Sequence, residues 1–114
     1  MLRQSDRTYR CALITGASRG LGRAYAEGIS PGTDLILTGR DAAALDEVAG
    51  RLRGEGRTIE TLVADLATPE GSQAVIEAGQ EAGIDLLINN AGLGAFGAFM
   101  DVPAARHADI VAVN

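Results

Sequence analysis

Lysine is missing altogether: the 10 basic residues of this 114-residue chain are all arginine. Chemistry that depends on an ε-ammonium group must therefore draw it from outside these residues. Cysteine is nearly missing too. Cys11 is the single example, so no internal disulfide can form, and a reducing cytoplasm suits the chain. Its place at the start of an apolar run points to burial rather than reactivity. Aromatic residues make up 4% and the formal net charge is −5, so both the stacking residues and the basic footprint that nucleic acid demands are lacking. The opening MLRQSDRTYR has no apolar signal-peptide core, and no later run approaches the ~20 residues of a membrane span. The expectation is a soluble, cytoplasmic protein with neither nucleic acid nor membrane as a partner.

What is present is an ordinary globular balance, 46% hydrophobic and 22% charged, in a length that fits one domain but is short for a full-width doubly wound sheet. Short apolar runs alternate with segments of helical period. Arg10 to Thr15 (RCALIT) and Asp34 to Thr38 (DLILT) predict buried strands of a parallel sheet, and Ile59 to Val63 and Asp85 to Asn89 (DLLIN) a third and a fourth strand. Leu21 to Ile29 predicts a helix whose exit at Ser30-Pro31-Gly32 is clipped short. Asp41 is placed to cap a helix through Ala44, Leu45, Val48 and Leu52, stopped by Gly54 and Gly56. Thr68-Pro69-Glu70 opens a third helix, which ends near Gly83. Pro103 to Asn114 is expected to begin a fourth. Strict β/α alternation implies right-handed crossovers with helices on both faces of the sheet.

The first strand runs directly into TGASRGLG, with Gly16, Gly20 and Gly22 ahead of a helix. Glycines at a strand-to-helix turn let backbone N–H groups approach a phosphate, and the helix N-terminus adds favourable potential, so a diphosphate is the natural occupant. A plain tight turn would use the same glycines. The spacing differs from GxGxxG and lacks the Gly-Lys-Ser/Thr ending of a nucleoside-triphosphate loop, which disfavours kinases and ATPases.

At these residues the chain resembles the short-chain dehydrogenase/reductase family, whose TGxxxGxG motif Thr15 to Gly22 matches in full. Asp65-Leu66 matches the acidic position after the family's third strand, and Asn89 to Gly92 reproduces its NNAG motif after the fourth. The resemblance implies a Rossmann-type doubly wound parallel sheet in the order 3-2-1-4. It also implies cofactor binding by Gly16, Ser18, Arg19, Gly20, Leu21 and Gly22 in the loop. Asp65 and Leu66 would then lie at the adenine, with Asn90, Ala91 and Gly92 beside the cofactor. Asn114 falls where the family keeps an asparagine that holds a water in a proton relay; an ordinary helix end is the other reading. A loop acid or helix cap is likewise the other reading of Asp65.

Charge bears on which dinucleotide is bound. An acid at the end of the second strand binds a ribose 2′-OH and repels a 2′-phosphate. That position is Gly39, followed by Arg40, and Arg19 lies in the glycine loop, so two guanidinium groups are available to a 2′-phosphate. NADP(H) is therefore expected over NAD(H), although lone surface arginines are also common. His107, the single histidine, has no ligand or nucleophile at a useful spacing and is taken as a surface or packing residue. Phe96, Phe99 and Met100 suit either a substrate pocket or packing on the sheet.

Carbonyl reduction needs a proton donor, which in this family is a tyrosine whose pKa a nearby lysine lowers, in a YxxxK pattern. Here Tyr9 and Tyr25 are followed four residues on by Leu13 and Ile29. Residues 1–114 are thus expected to form an NADP(H)-binding half-domain, truncated after the fourth strand and without the catalytic half. A longer enzyme is the favoured source; a truncation, or a second chain completing the sheet, is also open. The parent would transfer hydride between nicotinamide and a small carbonyl or alcohol substrate. The alternative is a non-catalytic dinucleotide-binding or interaction module that assembles through the open, apolar edge of the fourth strand, an edge that also suits a homo-oligomer.

Overall fold

Leucine, isoleucine and other apolar side chains crowd into short runs that are too brief for stable isolated helices but long enough for strands. A computed structural model describes residues 9–18, 20–53 and 56–90 and the backbone of 111–113. It forms β1 (Cys11–Thr15), β2 (Asp34–Gly39), β3 (Ile59–Val63) and β4 (Leu86–Asn89) from these runs. They alternate with α1 (Gly20–Gly28), α2 (Ala42–Leu52) and α3 (Pro69–Ala82). All strand pairs are parallel, in the expected order 3-2-1-4.

Side-chain alternation along the strands divides the core in two. Ala12, Ile14, Leu35, Leu37 and Ile88 face α1 and α2, where they meet Ala26, Leu45 and Val48. Leu13, Ile36 and Leu87 point the other way, onto Val75 and Ile76 of α3. Burying one such side chain is worth about 1.5–3 kcal/mol, so neither face of the central strands can be left uncovered. This is why β1 is buried at every position instead of alternating with solvent.

The helix ends follow the local signals. The Asp41 carboxylate accepts from Ala44 N at 3.1 Å, and Thr68 caps α3 by accepting from Gly71 N at 2.9 Å, with Pro69 in the first turn. Gly83 closes α3 in the left-handed conformation, at φ 65°. The short exit of α1 is as expected. The helix stops at Gly28, and Arg57 holds the following loop by donating Nη1 to the Ser30 carbonyl at 2.9 Å. Gly54 lies outside the described residues, and α2 ends at Leu52 with Arg53 already extended.

Two expectations about the end of the chain are corrected. Val111–Val113 forms a strand, β5, where a helix over Pro103 to Asn114 was expected. It pairs parallel to β4 in the register Leu86↔Val111, so the edge of β4 is covered and the sheet has the order β3-β2-β1-β4-β5 rather than ending at β4. The physical reason is competition. A VAV run of high β propensity beside an unpaired strand gains ladder hydrogen bonds that a single helical turn could not match.

Candidate functional site

β2 and β4 flank β1, and the helices that lead to them lie on opposite faces of the sheet, so the chain reverses direction between β1 and β4. In open α/β sheets a crevice forms outside the strand carboxyl ends at such a point. Here it is a cleft of about 1050 Å³, bounded among the described residues by Gly16 and Ser18 after β1, Gly39 and Arg40 after β2, Asp65 and Leu66 after β3, and Asn90 after β4. Four separate sequence signals thus converge on one concavity.

Close packing shapes the glycine loop. Gly16 and Gly20 hold positive φ, 63° and 62°. Gly22, buried in the first turn of α1, lies directly under Gly16: a Cβ there would overlap the Gly16 carbonyl and come within 2.9 Å of Asn90 Nδ2. Ala17 N donates to the Thr38 carbonyl at 3.1 Å, fastening the loop to the end of β2. Asn90 donates its amide to the Gly16 carbonyl at 3.4 Å, fastening it to β4. Gly20 and Leu21 stand on the exposed start of α1 rather than in the cleft wall, Leu21 being 67% exposed.

Arg40 stands apart from the other described arginines. Arg23 and Arg51 pair with Glu27 and Glu47, while Arg10, Arg53 and Arg57 donate to backbone carbonyls. Arg40 is exposed at the cleft and has no partner among the described residues. Beside it, Gly39 contributes no acid. A Cβ at Gly39 would make only contacts of 3.4 Å and beyond, with Ser18 Oγ and Leu45, so the position has room for a side chain. The start of α2 borders the same cleft through Ala42 and Ala43, which adds the positive end of a helix dipole.

At the end of the neighbouring strand β3, Asp65 is half-buried and accepts from Ala67 N through Oδ1 at 2.9 Å; Oδ2 has no partner among the described residues. Both readings of Asp65 therefore hold in part, since the acid organises its own turn and also lines the cleft. Leu66 packs against the core beneath α3.

Thr38 escaped the motif-based reading. Register places it beside Thr15, which is itself beside Asn89, so three polar side chains form a row across the ends of β2, β1 and β4. Thr15 donates to Asn89 Oδ1 at 3.2 Å. The Thr38 hydroxyl is buried at the cleft and has no hydrogen-bond partner among the described residues. No spacing rule marks a threonine at the end of an apolar strand; only cross-strand register shows it. Asp41, read as a cap, also borders the cleft.

Arg19, Ala91, Gly92, Phe96, Phe99, Met100, His107 and Asn114 lie outside the described residues. Among the described residues no cluster of candidate metal ligands occurs, and no helix is long and apolar enough to cross a membrane.

Sheet order, strand-end cleft and glycine turn together define a Rossmann-type α/β domain. Residues 10–114 match the family model for short chain dehydrogenase, and the chain belongs to that family. An uncharacterized oxidoreductase of Mycobacterium tuberculosis is 39% identical over 97 residues, which cover 81% of this chain and 35% of that protein. The bulky-bulky ketone specific alcohol dehydrogenase of Comamonas testosteroni superposes with a TM-score of 0.69 at 40% identity, over 88% of this chain and 42% of that one. The Pseudomonas aeruginosa RhlG/NADP complex gives 0.64 at 38%, over 74% and 34%. A Burkholderia phymatum family member in complex with NAD gives 0.63 at 34%, over 71% and 30%. The chain therefore spans well under half the length of these relatives.

Proposed function

We propose that this chain forms the cofactor-binding part of an NADP(H)-dependent oxidoreductase acting on a carbonyl or alcohol. The donor set fits such a cofactor: a glycine turn at a helix start for the diphosphate, a carboxylate oxygen of Asp65 with no partner among the described residues for an amino group, and Arg40 for a 2′-phosphate. When bound, the nicotinamide supplies hydride exchange with the substrate carbon. The observation that carries the preference for NADP(H) is Arg40, at the cleft with no partner among the described residues, beside a glycine where an acid would select NAD(H). Solved relatives in complex with NADP and with NAD support a nicotinamide dinucleotide in either form.

Within this reading the residues of this chain bind and orient the cofactor. Gly16, Ser18 and the start of α1 receive the diphosphate, Arg19 and Arg40 flank the 2′-phosphate, and Asn90 with Ala91 and Gly92 supports the cofactor from β4. Asn114 is assigned to hold a water. Proton donation to the alkoxide falls to residues beyond these 114, because neither Tyr9 nor Tyr25 has a lysine four positions on. The single cysteine fits a reducing, cytoplasmic setting.

The test is a titration of the chain with NADPH and NADH, followed by fluorescence. Arg40→Ala is expected to weaken NADPH about tenfold or more, the worth of a charge-assisted hydrogen bond, and to leave NADH unchanged. Gly39→Asp, for which there is room, is expected to reverse the preference. Equal loss for both dinucleotides on Arg40→Ala would remove the NADP assignment. The lack of lysine favours a second reading, a dinucleotide-binding module without chemistry. Turnover of a carbonyl panel by a chain of verified mass would eliminate it.

A further inference from the structure

The loop that carries Asp65 is clasped onto the first turn of α3 more tightly than a cap requires. The Asp65 carbonyl accepts twice from Thr68, from its N at 3.0 Å and its Oγ1 at 2.9 Å. Thr68 Oγ1 in turn accepts from Gly71 N at 2.9 Å, and Ser72 Oγ donates to the Leu66 carbonyl at 2.8 Å. Gly71 is the floor of this clasp. A Cβ there would overlap the Asp65 carbonyl and come within 2.9 Å of Asp65 N, so every atom in the way is backbone that no rotamer change can clear. Gly71 has no positive φ to explain its identity, which leaves the close approach of Asp65 as the reason for it.

We propose that Gly71 and Thr68 are positioning residues that set the depth of Asp65 in the cofactor cleft, and so the fit of the adenosine half of the dinucleotide. The inference rests on the cofactor-binding reading above. A methyl group at position 71 pushes the Asp65 main chain off α3 toward the cleft. The carboxylate at the cleft wall moves with it, whereas the glycine loop and Arg40, which follow β1 and β2, stay in place. Loss of the Thr68 hydroxyl has the same sense without added bulk, because it frees the Asp65 carbonyl from one of its two donors.

The experiment is a double-mutant cycle on NADPH affinity in the full 114-residue chain, using wild type, Asp65→Ala, Gly71→Ala and the double variant. Gly71→Ala is expected to weaken NADPH several-fold to about tenfold in the wild-type background and to have no further effect once Asp65 is alanine, the non-additivity of residues acting through one group. Thr68→Val is expected to weaken binding in the same way, and Thr68→Ser, which keeps the hydroxyl, to restore it. Equal losses in the two Asp65 backgrounds, or no effect of Asp65→Ala, overturns the positioning role. If Gly71→Ala fails to fold by circular dichroism, the Thr68 pair decides: equal affinity for the valine and serine variants overturns the proposal. Wild-type chain that binds no NADPH overturns the cofactor reading itself, a result distinct from binding that ignores positions 68 and 71.

Discussion

Asn90 donates its side-chain amide to the Gly16 carbonyl at 3.4 Å, joining the end of β4 to the glycine turn after β1. Both residues line the cleft. Asn90→Leu is expected to cost about 0.5–1.5 kcal/mol in urea unfolding, the net worth of one hydrogen bond. Asn90→Asp sets an acceptor against an acceptor and is expected to lower NADPH affinity more than the leucine variant does. The urea midpoint and the same fluorescence titration measure both.

Gly22→Ala tests the packing beneath that turn. Because the added methyl overlaps the Gly16 carbonyl, the loop must lift, at about 1–3 kcal/mol for overpacking. The parallel sheet, seen in the far-ultraviolet circular dichroism, is expected to persist while NADPH binding is lost. Retained affinity would show that the loop yields without changing shape.

Thr38→Val removes a buried hydroxyl that has no partner among the described residues. A near-isosteric methyl in its place is expected to leave stability unchanged or raise it by up to about 1 kcal/mol. Thr38→Ser keeps the hydroxyl but deletes a packed methyl and is expected to lose about 0.5–1.5 kcal/mol. The order valine, threonine, serine in urea midpoints is the expected result.

Burial pushes the Cys11 thiol above its ordinary pKa of 9.0, with nearby Asp34 and Asp85 adding to the effect and Arg10 opposing it. Above that ordinary value the unfolded chain releases the Cys11 proton while the folded chain keeps it. Stability is therefore full below about pH 9 and falls as the pH climbs toward the raised folded value. In Cys11→Ala the fall above pH 9 is expected to be shallower, measured by urea unfolding at stepped pH. Native Cys11 is also expected to react slowly with thiol reagents, since it is buried.

Local signals carried most of the elements because each rests on short-range physics. The Asp41 and Thr68 caps, the Gly83 stop and the clipped exit of α1 are settled within a turn of chain. The helix expected over 103–114 was misplaced at Val111–Val113, where a VAV run of high β propensity found an adjacent strand to pair with. The choice at Val111–Val113 was made by the open edge of β4, which is a long-range fact.

For the cleft, sequence alone determined the residue types: the TGxxxGxG turn, the Gly39-Arg40 pair in place of an acid, Asp65-Leu66, and the NNAG run, and with them the family. Tertiary structure decided what those residues touch. Only parallel register sets Thr38 beside Thr15, with its hydroxyl unpartnered among the described residues. The turn between β3 and α3 brings Gly71 against Asp65 a few residues back in the chain, and only the folded chain shows Arg40 at the cleft with no partner among the described residues. Spacing along a chain encodes periodicity and caps, whereas contacts across 20 or more residues depend on how the sheet is ordered.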